Sequence, residues 1–289
     1  MSQGFTLTRW ETERGVHEMA TRPGRGPAAR MVTRYAGYSE HTAPLRRRQV
    51  AHVGVGLVLA FGDPLIAEDG QRLGAFAFGN QTAASLSTVL GHQAGVQIDL
   101  TPLGARSLLG PEIAEMTDAV VPLDVALGPF GVELLERLAL APSWTARFDM
   151  VDAAIGAVPH VRLDPAVEWV VHEITRSKGQ ARVHAVVGET GWSPRHLGRR
   201  FLEQIGLSPK TLARLVRFEH AIDRVRARRA LTLAEVAADA GFFDQAHFNR
   251  DFRGFAGCTP SEFVAELDPE PQVRFVQDGE DDVAVASSP

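Results

Sequence analysis

The chain is predicted to fold as an α+β protein, with a β-rich amino-terminal half that ends in helices and an all-α carboxy-terminal half made of two similar units. Three observations carry that prediction. From Gly191 and again from Gly241 nearly the same stretch runs twice, GWSPRHLGRRFLEQIGLSPKTL and then GFFDQAHFNRDFRGFAGCTPSEF. Earlier in the chain, apolar runs are short and broken by Gly, Pro and Asp. At 289 residues and 45% hydrophobic content, the chain is also long enough to bury two cores.

In the amino-terminal half, residues 53–61, 75–78 and 96–100 read as short strands separated by turns. Helical patterns follow at 102–109, 131–140 and 142–156. Ser143 is placed to cap the last of these, and Trp144, Phe148 and Ile155 recur at helical spacing. A small barrel or sandwich with trailing helices is expected over 1–157, then a linker over 158–164. Nothing in this half reads as a catalytic site. Gly54-Val55-Gly56 lacks the third glycine and following helix of a dinucleotide loop. His41, His52 and His92 lack metal-ligand spacing, and Arg46-Arg47-Arg48 reads as a solvated loop. No nucleophile, base and orienting group can be named together, so neither enzymatic activity nor a cofactor or metal is expected. The single cysteine, Cys258, excludes an intramolecular disulfide and reads as a small buried hydrophobe.

The two copies match in kind. Ser193 pairs with Asp244, Leu197 with Phe248, Arg199 with Arg250, Phe201 with Phe252, Gly206 with Gly257, and Ser208-Pro209 with Thr259-Pro260. In each, Ser or Asp is a helix N-cap, and Pro194 suits the first helical position, where a missing N–H costs nothing. Apolar residues four apart form an inward stripe. Arg195, Arg199 and Leu202, or Ala246, Arg250 and Arg253, fall on another face. Gly206 and Gly257 suit the left-handed position after the helix end. A second helix precedes each copy, at 185–190 and 233–240, joined by a short turn containing Gly191 or Gly241. That is the plan of a helix-turn-helix, whose second helix enters a major groove. Arg199 and Arg250 have the right chemistry for guanine, since a guanidinium can meet O6 and N7 as a fork, and Asn249 can read adenine in the same way. Arg200 and Arg253 are placed either to touch phosphates or to stay in solvent.

Residues from about 165 to 266 resemble the paired helix-turn-helix domain of the AraC/XylS transcription regulators, most specifically over AADAGFFDQAHFNRDFRGFAGCTPSEF. The resemblance covers roughly a third of the chain. It implies a DNA-binding domain over 165–267, with recognition helices at 194–204 and 245–255 in successive major grooves of double-stranded DNA. Base contacts are implied at Arg195, Gly198 and Arg199 and at Gln245, Ala246, Asn249 and Arg250. Gly198 departs from the pattern because it has no side chain to read a base. Ser193, Arg195, Arg199, Arg200, Gln245, Asn249, Arg250 and Arg253 make up the expected DNA-binding set. The resemblance also implies RNA polymerase as a partner, and an amino-terminal domain that takes a small-molecule effector or forms a homodimer. A dimerisation or protein-interaction module with no effector is the alternative for that half. Activation is the family's habit, and repression at an overlapping site is equally compatible with these residues.

Charge agrees locally. The whole chain carries −5, yet residues 174–230 hold thirteen Lys/Arg against four Asp/Glu, a surplus suited to phosphate. Arg224, Arg226, Arg228 and Arg229 end the helix joining the units, either as favourable charge at a helix C-terminus or as phosphate contacts. Residues 268–289 are acidic and Pro-punctuated, and a disordered tail is expected there. With no signal-peptide pattern and no apolar run near twenty residues, no membrane association is expected, and a cytoplasmic location is.

Overall fold

The computed structural model describes residues 4–12, 15–227, 232–266 and 274–276. Among these, ten strands form one connected antiparallel sheet: β1 (Thr6–Thr12), β2 (Gly15–Arg22), β3 (Val32–Gln49), β4 (Val55–Ala60), β5 (Leu65–Ala67), β6 (Arg72–Leu73), β7 (Phe76–Phe78), β8 (Ser85–Leu100), β9 (Val120–Pro122) and β10 (Arg274–Val276). The order is β10-β1-β2-β3-β8-β4-β7-β9, with β5 on β8 and β6 on β5. The expected strands at 53–61, 75–78 and 96–100 are present in part, but the last is only the end of β8. The two longest strands, β3 and β8, pair from Val32 opposite Leu100 to Gln49 opposite Ser85. Their register shifts between Thr42 and Leu45, where Pro44 has no N–H to give to the ladder. Arg46, Arg47 and Arg48 are therefore strand residues opposite Thr88, Ser87 and Leu86, not a loop.

Helices α1 (Pro102–Leu109), α2 (Leu123–Leu140) and α3 (Trp144–Gly156) cover the sheet. α2 begins well before the expected residue 131 and bends where Gly128 adopts φ 56° ahead of Pro129. α3 is capped by Ser143, whose hydroxyl accepts the Ala146 N–H. Its Phe148 is fully buried and stacks near Tyr35 of β3, while Trp144 lies on Gly37, where a Cβ would stand 2.4 Å from the indole. Arg22, nearly fully buried, pairs with Asp152 behind these rings. Leu57, Leu59, Val96, Ile98 and Leu138 complete this first core.

The carboxy-terminal helices are α4 (Pro165–Arg176), α5 (Val183–Glu189), α6 (Pro194–Ile205), α7 (Pro209–Arg226), α8 (Leu233–Asp239), α9 (Gln245–Ala256) and α10 (Pro260–Glu266). They share a second core. Leu197, Phe201 and Ile205 of the first unit join Phe248, Phe252 and Phe263 of the second through Leu212, Leu215, Phe218 and Ile222 of the long connector α7. Cys258 and its repeat counterpart Leu207 are both buried in it. Residues 158–164 lack regular structure, but Leu163 is buried and Asp164 is held by Gln204, whose side-chain oxygen accepts the Asp164 N–H at 2.8 Å. Of the acidic terminus, 268–273 and 277–289 lie outside the described residues. Residues 274–276 form β10 beside β1.

Candidate nucleic-acid interface

Each unit repeats one backbone solution. A short helix (α5 or α8) ends at a glycine in the left-handed region, Gly191 at φ 72° or Gly241 at φ 77°. The next side chain to act is the N-cap. Ser193 Oγ accepts the His196 N–H at 3.3 Å, and Asp244 Oδ1 accepts the His247 N–H at 2.6 Å. At the far end, Gly206 (φ 81°) and Gly257 (φ 68°) return their N–H to Leu202 O and Arg253 O. Ser208 and Thr259 then cap α7 and α10. The helices run one residue beyond their expected ends, to Ile205 and Ala256, and α5 starts two residues earlier than expected.

These caps fix which way each side chain faces. On α6, Leu197 and Phe201 are fully buried while Arg195 and Arg199 are exposed; on α9, Phe248 and Phe252 are fully buried while Gln245, Asn249, Arg250 and Arg253 are exposed. Ser193 is exposed at the start of α6, with its hydroxyl already engaged as cap. A Cβ at Gly198 would meet nothing within 4 Å, so the exposed face of α6 has an open notch there.

Arg200 is placed differently from both sequence expectations. Its guanidinium binds Asp164 at 2.7 Å and Glu203 at 2.7 Å, and Gln204 donates to the same Asp164 oxygen at 2.7 Å. The hydrogen bond from Arg200 holds the Asp164 carboxyl below its usual range. Arg200 thus ties the start of α4 to α6, and turning toward phosphate would leave the half-buried Asp164 carboxylate without its one cationic partner among the described residues, held by Gln204 alone. The connector's end is likewise engaged: Arg224 pairs with Asp239 at 2.8 Å, and the Arg226 guanidinium lies 5.8 Å from the Phe263 ring centre. Arg228 and Arg229 lie outside the described residues.

The carboxy ends of α6 and α9 dock on the sheet domain. A helix end leaves its last carbonyls without partners. Asn80 Nδ2 donates to Ile205 O at 2.8 Å, Thr117 Oγ1 to Gly206 O at 2.7 Å, and Arg106 to Glu203 O at 3.0 Å. In the second unit the Ala51 N–H donates to Phe255 O at 2.8 Å and Arg48 to Ala256 O at 3.2 Å, with Arg48 also forked onto Glu266. The connector joins the same seam. Glu219 Oε1 accepts the Val53 N–H at 2.6 Å, and burial pushes this carboxyl up to about 7. A crevice of about 530 Å³, with Thr82 and Thr117 on one side and Leu202, Arg214 and Phe255 on the other, lies along the seam. None of these seam residues carries a local sequence mark, since their partners are far away in the chain.

Residues 186–266 match a family model described as a helix-turn-helix domain. Over these residues the carboxy-terminal segment is a helix-turn-helix domain. Over 72 residues the chain is 35% identical to the uncharacterized transcriptional regulatory protein YesN of Bacillus subtilis (strain 168), a stretch that is 25% of this chain and 20% of that protein. The chain therefore spans about a fifth of the length of this curated relative. Among solved structures, the carboxy-terminal domain of AraT, a response regulator from Geobacillus stearothermophilus, is 23% identical with a TM-score of 0.36, covering 38% of this chain and 92% of that one. ToxT from Vibrio cholerae is 13% identical with a TM-score of 0.45, covering 78% of this chain and 98% of that one. No helix among the described residues is long and apolar enough to cross a membrane. No group of three or more His, Cys, Asp or Glu among them is disposed to hold a metal.

Proposed function

We propose that the chain is a sequence-specific DNA-binding regulator of transcription. Each monomer presents α6 and α9 to successive major grooves of double-stranded DNA, on a site approaching ~20 bp with two blocks of specificity. The observation that carries this reading is the recurrence of an exposed arginine, Arg199 and Arg250, at the same place on two identically capped helices whose opposite faces share one core. Among the described residues neither arginine has an ion-pair partner, so both are available to a ligand. Arg195, Gln245 and Asn249 extend the base-reading faces, while Ser193 and Arg253 flank them as backbone contacts.

Control through the amino-terminal domain is part of the proposal. The sheet domain holds the carboxy ends of both recognition helices and the middle of the connector, so a change in the sheet domain alters the relative placement of the two reading heads. A small-molecule effector acting at the seam crevice would work through these contacts. Self-association is the second reading of this half. Val125, Phe130, Val132 and Leu140 of α2 are exposed apolar side chains, which favours a homodimer contact. Sedimentation of the full chain, beside thermal shifts with metabolites, separates the two. Contact with RNA polymerase and action in the cytoplasm belong to the same proposal.

The test is selection of bound duplexes from a random library. Arg199→Ala and Arg250→Ala are each expected to relax preference in a different block, by about 1–3 kcal/mol of discrimination. Equal weakening on all sequences would make both arginines phosphate contacts and remove the base-reading assignment.

A further inference from the structure

We infer that the cleft between the connector α7 and the recognition helix α9 seats a phosphodiester of the DNA backbone, midway between the two base-reading blocks. The inference rests on the DNA-reading proposal and adds to it a backbone-binding site that borders the α9 reading face at Arg250.

Lys210, Arg214 and Arg217 lie four and then three residues apart on α7 and form one stripe along that helix. Together with Arg250 of α9 they line a cleft of about 370 Å³. Its other wall reaches Val183, the first residue of α5, so the cleft spans from the first unit to the second. Four cations face one carboxylate there, that of Asp251.

The carboxylate does not cancel the site. Asp251 is buried and takes Arg214 at 2.9 Å, with the His247 ring nitrogen at 3.6 Å. Arg217 is held by a 2.8 Å hydrogen bond to Gly179 O and stands over the Phe242 ring, while Arg214 stands over Phe255. Two guanidinium groups are therefore fixed in place before any ligand arrives, so little side-chain freedom remains to be lost on binding. Lys210 is exposed, and among the described residues it has no ion-pair partner.

Geometry names the ligand. When two helices on one protein enter successive major grooves on one face of a duplex, the backbone bordering the intervening minor groove faces the element between them. Here that element is α7. Its terminal arginines Arg224 and Arg226 are already engaged with Asp239 and Phe263, whereas the stripe from Lys210 to Arg217 opens beside Arg250. Backbone contacts at this point set the register of both helices without reading sequence.

The experiment uses the full chain and a duplex recovered by selection. Lys210→Gln is expected to lower the slope of log affinity against log salt by about 0.9, the value of one released counterion, with block preferences unchanged. Single phosphates of the duplex are then replaced by neutral methylphosphonates. Wild type is expected to lose affinity at a position between the blocks where Lys210→Gln loses nothing further. An unchanged slope, or an equal methylphosphonate loss in both proteins, would overturn the inference. Failure of the parent reading looks different, because wild type would then show no sequence preference at all. Thermal melting of Lys210→Gln, expected to match wild type, guards against a folding defect.

Discussion

The two helix-turn-helix units share a frame and differ in what they hang on it. Caps, glycine turns, the inward aromatic at Phe201 and Phe252, and the outward arginine at Arg199 and Arg250 coincide. Two positions on the exposed helix faces are exchanged in character. The first unit has Arg195 and Gly198 where the second has Ala246 and Asn249, so each unit is blank where the other has a long side chain. Behind the face, Phe201 of the first unit shares the core with the aliphatic Leu197 and Ile205, whereas Phe252 of the second meets Phe218, Phe248 and Phe263 edge to face, with ring centres 5.4, 5.4 and 5.6 Å apart. Each unit also holds one inward carboxylate neutralised by an arginine. In the first it is Asp164 with Arg200, at the boundary with the linker; in the second it is Asp251 with Arg214, facing the connector. The lesson is that the backbone frame needs only small residues at the turns and caps at the ends. Core composition and outward chemistry can then diverge without disturbing the presentation of the helix.

The largest effect is expected in the cores. Phe252→Ala should cost about 3–5 kcal/mol in chemical denaturation, and more than Phe201→Ala, because it opens an aromatic cluster whose rings cannot collapse into the space. Equal losses would show that the aromatic cluster adds nothing over the aliphatic packing of the first unit.

Next in size is the connector, which both units share. Glu219 titrates at about 7 when folded, above the ordinary carboxylate value of 4.5, because burial penalises its charge. Its contribution to stability is therefore complete below about pH 4.5 and is lost as pH rises through about 7, where the folded chain must ionise a buried group. Glu219→Gln keeps an oxygen to accept the Val53 N–H. It should stabilise the chain at pH 8 by up to about 3 kcal/mol and leave it unchanged at pH 4, with the difference read from melts across that range. If the variant melts like wild type at pH 8, ionised Glu219 is not a burden on the seam.

The smallest effect sharpens the contrast between the exposed faces of α6 and α9. Gly198→Asn copies Asn249 into the first unit, and open space surrounds that position. A gain of a few tenths of a kcal/mol in stability is expected from replacing a mid-helix glycine. Selected duplexes should gain an adenine preference in the first block, worth about 1–3 kcal/mol. An unaltered first block would mean that this position of α6 does not reach the bases.

What could be read without coordinates was short-range. Ser193 and His196, or Asp244 and His247, stand three residues apart, and the apolar stripe repeats every three or four residues, so caps, turns and faces left direct marks on the sequence. The strands were less legible. In β3 a run of Tyr, Gly, Ser, Glu, His and Thr follows no clean alternation, and its extent is set by pairing with β8 some fifty residues away. Arg200 shows the same limit within the domain. Its outward spacing on the helix suggested phosphate or solvent, and only folding brought Asp164, 36 residues away, against it.

The sequence by itself determined two capped helices with a shared outward arginine, because each depends on residues within one or two turns of one another. The tertiary structure alone decided the seam and the cleft. Arg48 meets Glu266 across 218 residues, Val53 meets Glu219 across 166, and Arg214 meets Asp251 across 37. Pairings at such separations follow from how two cores pack together, and no local period or motif in the chain records them.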